Sequence, residues 1–209
     1  MNDPLSYIID RWDLQRASWE WMPIQIPNSS RTDLAKLFAE LGYRKGAEIG
    51  TGRGTYAGRL ARYNPMCRIY CIDPWETYDG LRDWTDADVL NEHWIAAKAR
   101  LAQYPEVRII RKYSMDALEK YPDNSLDFVY IDANHTFPYM AEDLFYWSKK
   151  VKPGGIVSGH DYLKQTRKDG MVQVREVVDA YTEAFDINSW FVVDECTLKR
   201  AGSFFWVKP

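Results

Sequence analysis

Glu48-Ile49-Gly50-Thr51-Gly52-Arg53-Gly54 closes a short apolar run at 46–50 and leads into a helical pattern that begins near Thr55. Glycines at alternate positions let backbone approach a ligand with no side chain in the way. A dinucleotide fingerprint has glycine at its first, third and sixth positions; counted from Gly50 the sixth is Thr55, so the spacing is Gly-x-Gly-x-Gly instead. A plain strand-to-helix turn can contain one or two glycines by chance, but Glu48 and the acids downstream argue for a binding turn.

Working outward, four more short apolar runs lie at 68–73, 107–111, 126–132 and 155–158, each followed by polar or glycine-rich sequence. Helical spacing fills the intervals, at 55–63, 86–103, 114–120 and 138–151. Strand and helix alternate, which predicts an α/β fold with a mostly parallel sheet covered by helices on both faces, because each parallel connection must cross the sheet. A further helix near 172–185 precedes two aromatic and β-branched runs, 189–193 and 203–207. Only nine residues separate these last two, which predicts an antiparallel hairpin at one edge and brings the count to seven strands. Before the glycine turn lie a helix near 5–20, a Pro-containing joint at 23–27 and a helix at 30–41 capped by Ser30 or Thr32. We read 1–43 as a helical N-terminal extension and 44–209 as a single globular domain.

Bulk properties narrow the function. With 27 Lys and Arg against 30 Asp and Glu, the formal net charge is -3, which recruits neither phosphate backbones nor anionic lipid. Neither a membrane-spanning apolar run nor a targeting segment is legible, so the expected location is the cytoplasm. Cys67, Cys71 and Cys196 lack paired spacing and read as free thiols. The basic stretches Lys149-Lys150-Lys152 and 164–168 read as solvated surface. Aromatic content is high at 15%, with nine Trp. Trp12, Trp19, Trp21 and Trp75 sit near proline, charge or loop, so some indoles are expected at a ligand site or interface; an aromatic N-terminal arm also suits a homodimer. The segment 74–94, with Trp75, Tyr78, Trp84 and Trp94 among acids, is either a lid or an amphipathic surface helix.

The carboxylates then follow in order. Asp73 ends the second run, 21 residues beyond Gly52, where a carboxylate can accept two hydrogen bonds from ribose hydroxyls; a helix cap is the alternative. Ser114-Met115-Asp116 follows the third run, where an adenine amino group could be read or a helix simply capped. Ligands of open parallel sheets bind beyond the carboxyl ends of the strands. Glu48 to Gly54, Asp73, Ser114 to Asp116, Asp132 to His135 and His160-Asp161 all fall on that one rim.

Together these residues resemble class I S-adenosylmethionine-dependent methyltransferases over roughly 44–209, with a Rossmann-like doubly wound sheet. Ser125-Leu126-Asp127-Phe128-Val129-Tyr130-Ile131-Asp132-Ala133-Asn134-His135, then Glu142-Asp143-Leu144, Val151-Lys152-Pro153-Gly154-Gly155 and Gly159-His160-Asp161-Tyr162 are similar to one branch. It is the branch of catechol and macrocin O-methyltransferases and cephalosporin-hydroxylase-like proteins. The resemblance implies S-adenosyl-L-methionine held by Glu48, Gly50, Thr51, Gly52, Gly54, Asp73, Ser114, Met115, Asp116 and Asp132. It implies a divalent metal, magnesium or manganese, on Asp132, His160 and Asp161, although His160 stands where relatives carry an acid and favours a metal that accepts imidazole. Without a metal, His135 or His160 is the expected general base, and Asp132 belongs to the catalytic group either way. The expected acceptor is a hydroxyl of a small molecule or sugar. Alternatives are a nucleic-acid methyltransferase and a protein that binds the cofactor without turnover. The first lacks an Asn/Asp-Pro-Pro-Tyr/Phe tetrapeptide after the fourth strand, where this chain has Asp132-Ala133-Asn134-His135.

Overall fold

The structure is a computed structural model and describes residues 3–14, 22–77, 86–163, 172–193 and 201–209. In chain order its elements are α1 (Pro4–Arg11), β1 (Ile24–Ile26), α2 (Arg31–Glu40), β2 (Lys45–Ile49), α3 (Thr55–Tyr63), β3 (Arg68–Asp73), α4 (Ala87–Leu101) and β4 (Val107–Arg111). They continue with α5 (Ser114–Leu118), β5 (Leu126–Ile131), α6 (Phe137–Lys150), β6 (Val151–Tyr162), α7 (Val174–Ala184), β7 (Trp190–Val193) and β8 (Gly202–Val207).

All eight strands form one sheet in the order β1-β7-β8-β6-β5-β2-β3-β4. β8 runs antiparallel to both β6 and β7, and every other pair is parallel. β5 is buried at every residue, as its unbroken run Leu-Asp-Phe-Val-Tyr-Ile requires of a central parallel strand. Its side chains divide the core. Phe128 and Tyr130 join Leu34, Phe38 and Leu60 of α2 and α3 on one face, with the Phe38 and Phe128 rings stacked at 4.1 Å. Val129 and Ile131 join Leu144 and Trp147 of α6 and Val178 of α7 on the other.

Two expectations are corrected. The sheet has eight strands, the eighth being β1, which lies in the stretch read as a Pro-containing joint. β1 pairs in parallel with β7, Ile24 opposite Phe191, so the β7-β8 hairpin does not form the edge; β1 does. Pro23 and Pro27 bracket its three residues, and proline is tolerated only at such an outer position. The α1 helix stops at Arg11 and residues 12–14 are not helical, so the helix expected near 5–20 is shorter there; its remainder, 15–20 with Trp19, lies outside the described residues, as do Trp21, Tyr78, Trp84 and Cys196.

α2 opens as expected from Ser30, whose hydroxyl accepts from the Thr32 backbone while Asp33 accepts from the Ser30 backbone. α1, β1 and α2 bury Ile8, Ile26, Leu34 and Phe38 against the same core as α3. No helix among the described residues is long and apolar enough to cross a membrane.

Candidate active site

β2 lies between β3 on one side and β5 on the other, so the sheet order reverses there and a crevice opens at the carboxyl ends. The glycine turn fills one wall. Gly50, Gly52 and Gly54 have φ of +86°, +52° and +70°, a region other residues avoid. At Gly50 a Cβ would lie 2.1 Å from the Asp132 carbonyl oxygen, so glycine is what lets the two strand ends touch. At Gly52 nothing stands within 4 Å of that position, leaving open space for a ligand.

Asp73 anchors this turn. Its Oδ2 accepts from the Gly52 N–H at 2.8 Å and its Oδ1 from the Trp75 N–H at 2.8 Å, while the Trp75 indole donates to the Gly52 carbonyl at 2.8 Å. Burial raises the Asp73 pKa and the backbone donors oppose the rise. Glu48 is fully buried at the base of the turn, and its Oε2 has no hydrogen-bond partner among the described residues. Its pKa stands well above the usual carboxylate range, first because of burial and further because Asp132 and Asp73 are near.

An open cleft of about 430 Å³ runs past Gly50, Asp73, Glu76, Ser114, Asp132 and Asn134. Ser114 reaches it from the first turn of α5, but the half-buried Met115 packs against the core and Asp116 is exposed to solvent, so neither lines it. Beside Ser114 the buried Asp143 carboxyl is pushed up to about 7 by desolvation, with Ser114 opposing the shift. Asn134 accepts from the Thr136 N–H and hydroxyl at 3.0 and 2.9 Å, turning the chain into α6, while its buried Nδ2 has no partner among the described residues. Glu76 was missed as a site residue, and Asn134 was placed on the rim without a role of its own. Glu76 is the more solvent-facing carboxylate of this wall, and its Oε2 accepts from the Tyr113 hydroxyl at 3.3 Å.

At the far end Asp132, His135 and Asp161 come together, each offering one ligand atom within 4.8 Å of the others. His135 Nε2 lies 3.0 Å from Asp161 Oδ2 and 3.4 Å from Asp132 Oδ1. His160 stands outside this trio. Its Nδ1 is 3.4 Å from Asp161 Oδ1, so His135 occupies the place that the sequence reading gave to His160. The register of β6 against β8 shifts between Gly159 and Tyr162, and Asp161 has φ +58°. Such a bulge re-aims side chains, and a non-glycine residue held left-handed costs energy that only its surroundings sustain.

Arg31, at the first position of α2, completes the rim. Its Nη1 lies 3.7 Å from Asp132 Oδ2 and its guanidinium 5.3 Å from the Tyr56 ring centre. Burial works against its charge, yet Tyr130, Asp132 and Tyr56 outweigh that effect and raise its pKa. Sequence reasoning passed over Arg31, because nothing in its local sequence marks it and its approach to Asp132 is a tertiary contact.

A family model described as a methyltransferase domain matches residues 47–162, more than half of the chain. The chain belongs to that methyltransferase family. Solved structures agree on the fold of this methyltransferase domain. It is similar to a putative caffeoyl-CoA O-methyltransferase from Staphylococcus aureus at 19% identity and TM-score 0.62, over 98% of this chain and 99% of the other. The O-methyltransferase TomG from Streptomyces achromogenes, solved with SAM, is 20% identical with TM-score 0.62, over 100% and 91%. An O-methyltransferase from Bacillus cereus, solved with SAH, is 17% identical with TM-score 0.59, over 98% and 90%. No curated protein matches the chain.

Proposed function

We propose that this methyltransferase uses S-adenosyl-L-methionine to methylate a hydroxyl group of a small molecule or sugar. The observation that carries the reading is the Asp132, His135 and Asp161 cluster standing at the end of the cleft walled by the glycine turn. The cleft fits the cofactor. Open space before Gly52 admits backbone contact, and Glu48 Oε2 and Asn134 Nδ2 are buried polar atoms lacking partners among the described residues. Gly50, Thr51, Gly52 and Gly54 would cradle the methionine part, Asp73 and Glu76 the ribose, and Ser114 the adenine side. Solved relatives with SAM or SAH bound support this assignment. When bound, the cofactor supplies a methyl group on a positively charged sulfur.

The chain's own residues supply position and proton transfer. In-line displacement gains most from holding the acceptor oxygen in place and the rest from removing its proton. His135, whose Nε2–H faces both carboxylates, takes that proton on its other ring nitrogen, Nδ1, with Asp132 and Asp161 stabilising the resulting imidazolium. His160 props Asp161 from the other side. The same trio has the donors for a divalent cation, and its mixed nitrogen and oxygen set suits manganese better than the all-oxygen shell magnesium prefers. A cation there would lower the pKa of the acceptor hydroxyl.

We place the enzyme in the cytoplasm, a reading supported by the free, buried Cys67 and Cys71. We keep 43/44 only as the start of the segment that carries the family's motifs, supported by a family match that begins at 47, because β1 belongs to the sheet, and α1, β1 and α2 to the core, of the rest. Methyl transfer from labelled cofactor to a panel of phenols, sugars and aliphatic alcohols, with chelator and with added manganese or magnesium, tests the reading. Turnover of a hydroxylated acceptor is expected; binding of S-adenosylhomocysteine with no turnover on any hydroxyl would overturn it.

A further inference from the structure

The outer face of α6 has a composition that the site does not use. Along Glu142-Asp143-Leu144-Phe145-Tyr146-Trp147-Ser148-Lys149, the residues Asp143, Leu144, Trp147 and Ser148 are buried while Glu142, Phe145, Tyr146 and Lys149 are exposed. Phe145 and Tyr146 are 37% and 41% exposed, and Phe185 beyond α7 is 51% exposed. Monomers seldom leave aromatic rings clustered in water, and a patch rimmed by charge marks a protein contact. Phe145 also stands between two grooves, one closed by Tyr181, Phe185 and Trp206 and the other by Val177, Ala180 and Tyr181.

The order of these exposed residues identifies the partner. Acid, aromatic, aromatic, base at spacings of three, one and three is a pattern that reads the same in reverse with its charges exchanged. A two-fold rotation between Phe145 and Tyr146 therefore sets Glu142 against the partner's Lys149 and Lys149 against the partner's Glu142. It also sets Phe145 beside the partner's Tyr146. We propose that this face joins two copies of the chain, with α6 antiparallel to its counterpart and each Phe145 seated in a groove beside the other. A closed symmetric pair uses one patch twice, so self-complementary charge is what such an interface demands. Glu142 forms no ion pair among the described residues, and Lys149 lies over the Phe145 ring with its ammonium 3.8 Å from the centroid, close to where the partner's acid would arrive.

Sedimentation velocity and light scattering from micromolar to sub-millimolar protein test the proposal. The chain is expected to be a dimer. Phe145→Glu should give monomers that keep the folded circular dichroism spectrum, with a melting temperature that no longer rises with protein concentration. Glu142→Lys and Lys149→Glu should each weaken the dimer by about tenfold, because every reversal acts at two symmetric pairs. The double variant should restore the wild-type affinity. A monomer throughout the series would overturn the proposal and leave the face to a partner of another kind. A dimer insensitive to Phe145→Glu, or one that the double reversal fails to restore, would also overturn it by placing the contact elsewhere or in another register.

Discussion

Gly50→Ala tests the contact on which the site is built. The substitution meets two penalties. A left-handed backbone costs alanine about 1–2 kcal/mol. In addition the new Cβ would lie 2.1 Å from the Asp132 carbonyl oxygen and 2.5 Å from its carbon. That is roughly 1.4 Å short of the ~3.5 Å at which such atoms rest. Neither neighbour is a flexible side-chain end, so the β5 terminus must move, and overpacking of this kind costs about 1–3 kcal/mol. The sum is about 2–5 kcal/mol, or a fall of roughly 4–20 °C in melting temperature for a chain of this size. Asp132 moves with its backbone, so methyl transfer should fall further than folded protein does. Gly52→Ala supplies the comparison. It carries the backbone cost alone, because its Cβ meets nothing, yet that Cβ projects into the space assigned to the cofactor. Differential scanning calorimetry and titration with S-adenosylhomocysteine should show the first variant losing stability and the second losing mainly affinity. Equal destabilisation by the two would refute the reasoning.

Other outcomes are specific. Asp73→Ala leaves the Gly52 and Trp75 N–H groups without their acceptor and should lower stability by about 2–4 kcal/mol along with cofactor affinity; an unchanged urea midpoint and dissociation constant would remove its anchoring role. Asp132→Asn should abolish turnover with cofactor affinity nearly intact, and a fully active variant would discard the role of Asp132 in supporting the His135 imidazolium. Arg31→Gln should reduce kcat while Arg31→Lys restores part of it, as read in steady-state kinetics with the panel acceptor found active; equal rates in both would show that the guanidinium is idle. Asp143 retains its proton to about pH 7 when folded but releases it near its ordinary value when unfolded, so its contribution is present at low pH and lost as pH rises to about 7. Denaturation of wild type and Asp143→Asn should therefore diverge across that interval by up to about 1.4 kcal/mol per pH unit, the variant becoming relatively more stable; parallel curves would contradict the burial effect.

Much of this was legible beforehand because parallel α/β order writes itself as strong local patterns. α3 matches the expected 55–63, and β3 and β4 match 68–73 and 107–111, because apolar runs bounded by polar turns leave little choice of period. The glycine turn was legible for a similar reason, since three left-handed positions restrict composition. β1 was not, because three residues between two prolines carry no periodicity and become a strand only by pairing with β7 from far along the chain. Arg31 and Glu76 escaped notice because neither sits in a motif, and each gains its place from a tertiary contact. His135 and His160 were both marked, but which of them faces the two carboxylates depends on the bulge at Gly159 to Tyr162, whose sense no spacing encodes.

The thin strand at Ile24–Ile26 has a practical meaning for anyone trimming this protein. A chain begun at residue 44 would keep the family match yet bare the hydrogen-bonding side of β7, inviting strand-to-strand stacking between molecules. It would also discard the guanidinium beside Asp132. Poor solubility and poor turnover of such a fragment would then share one origin, and a well-behaved minimal enzyme must start upstream of that strand.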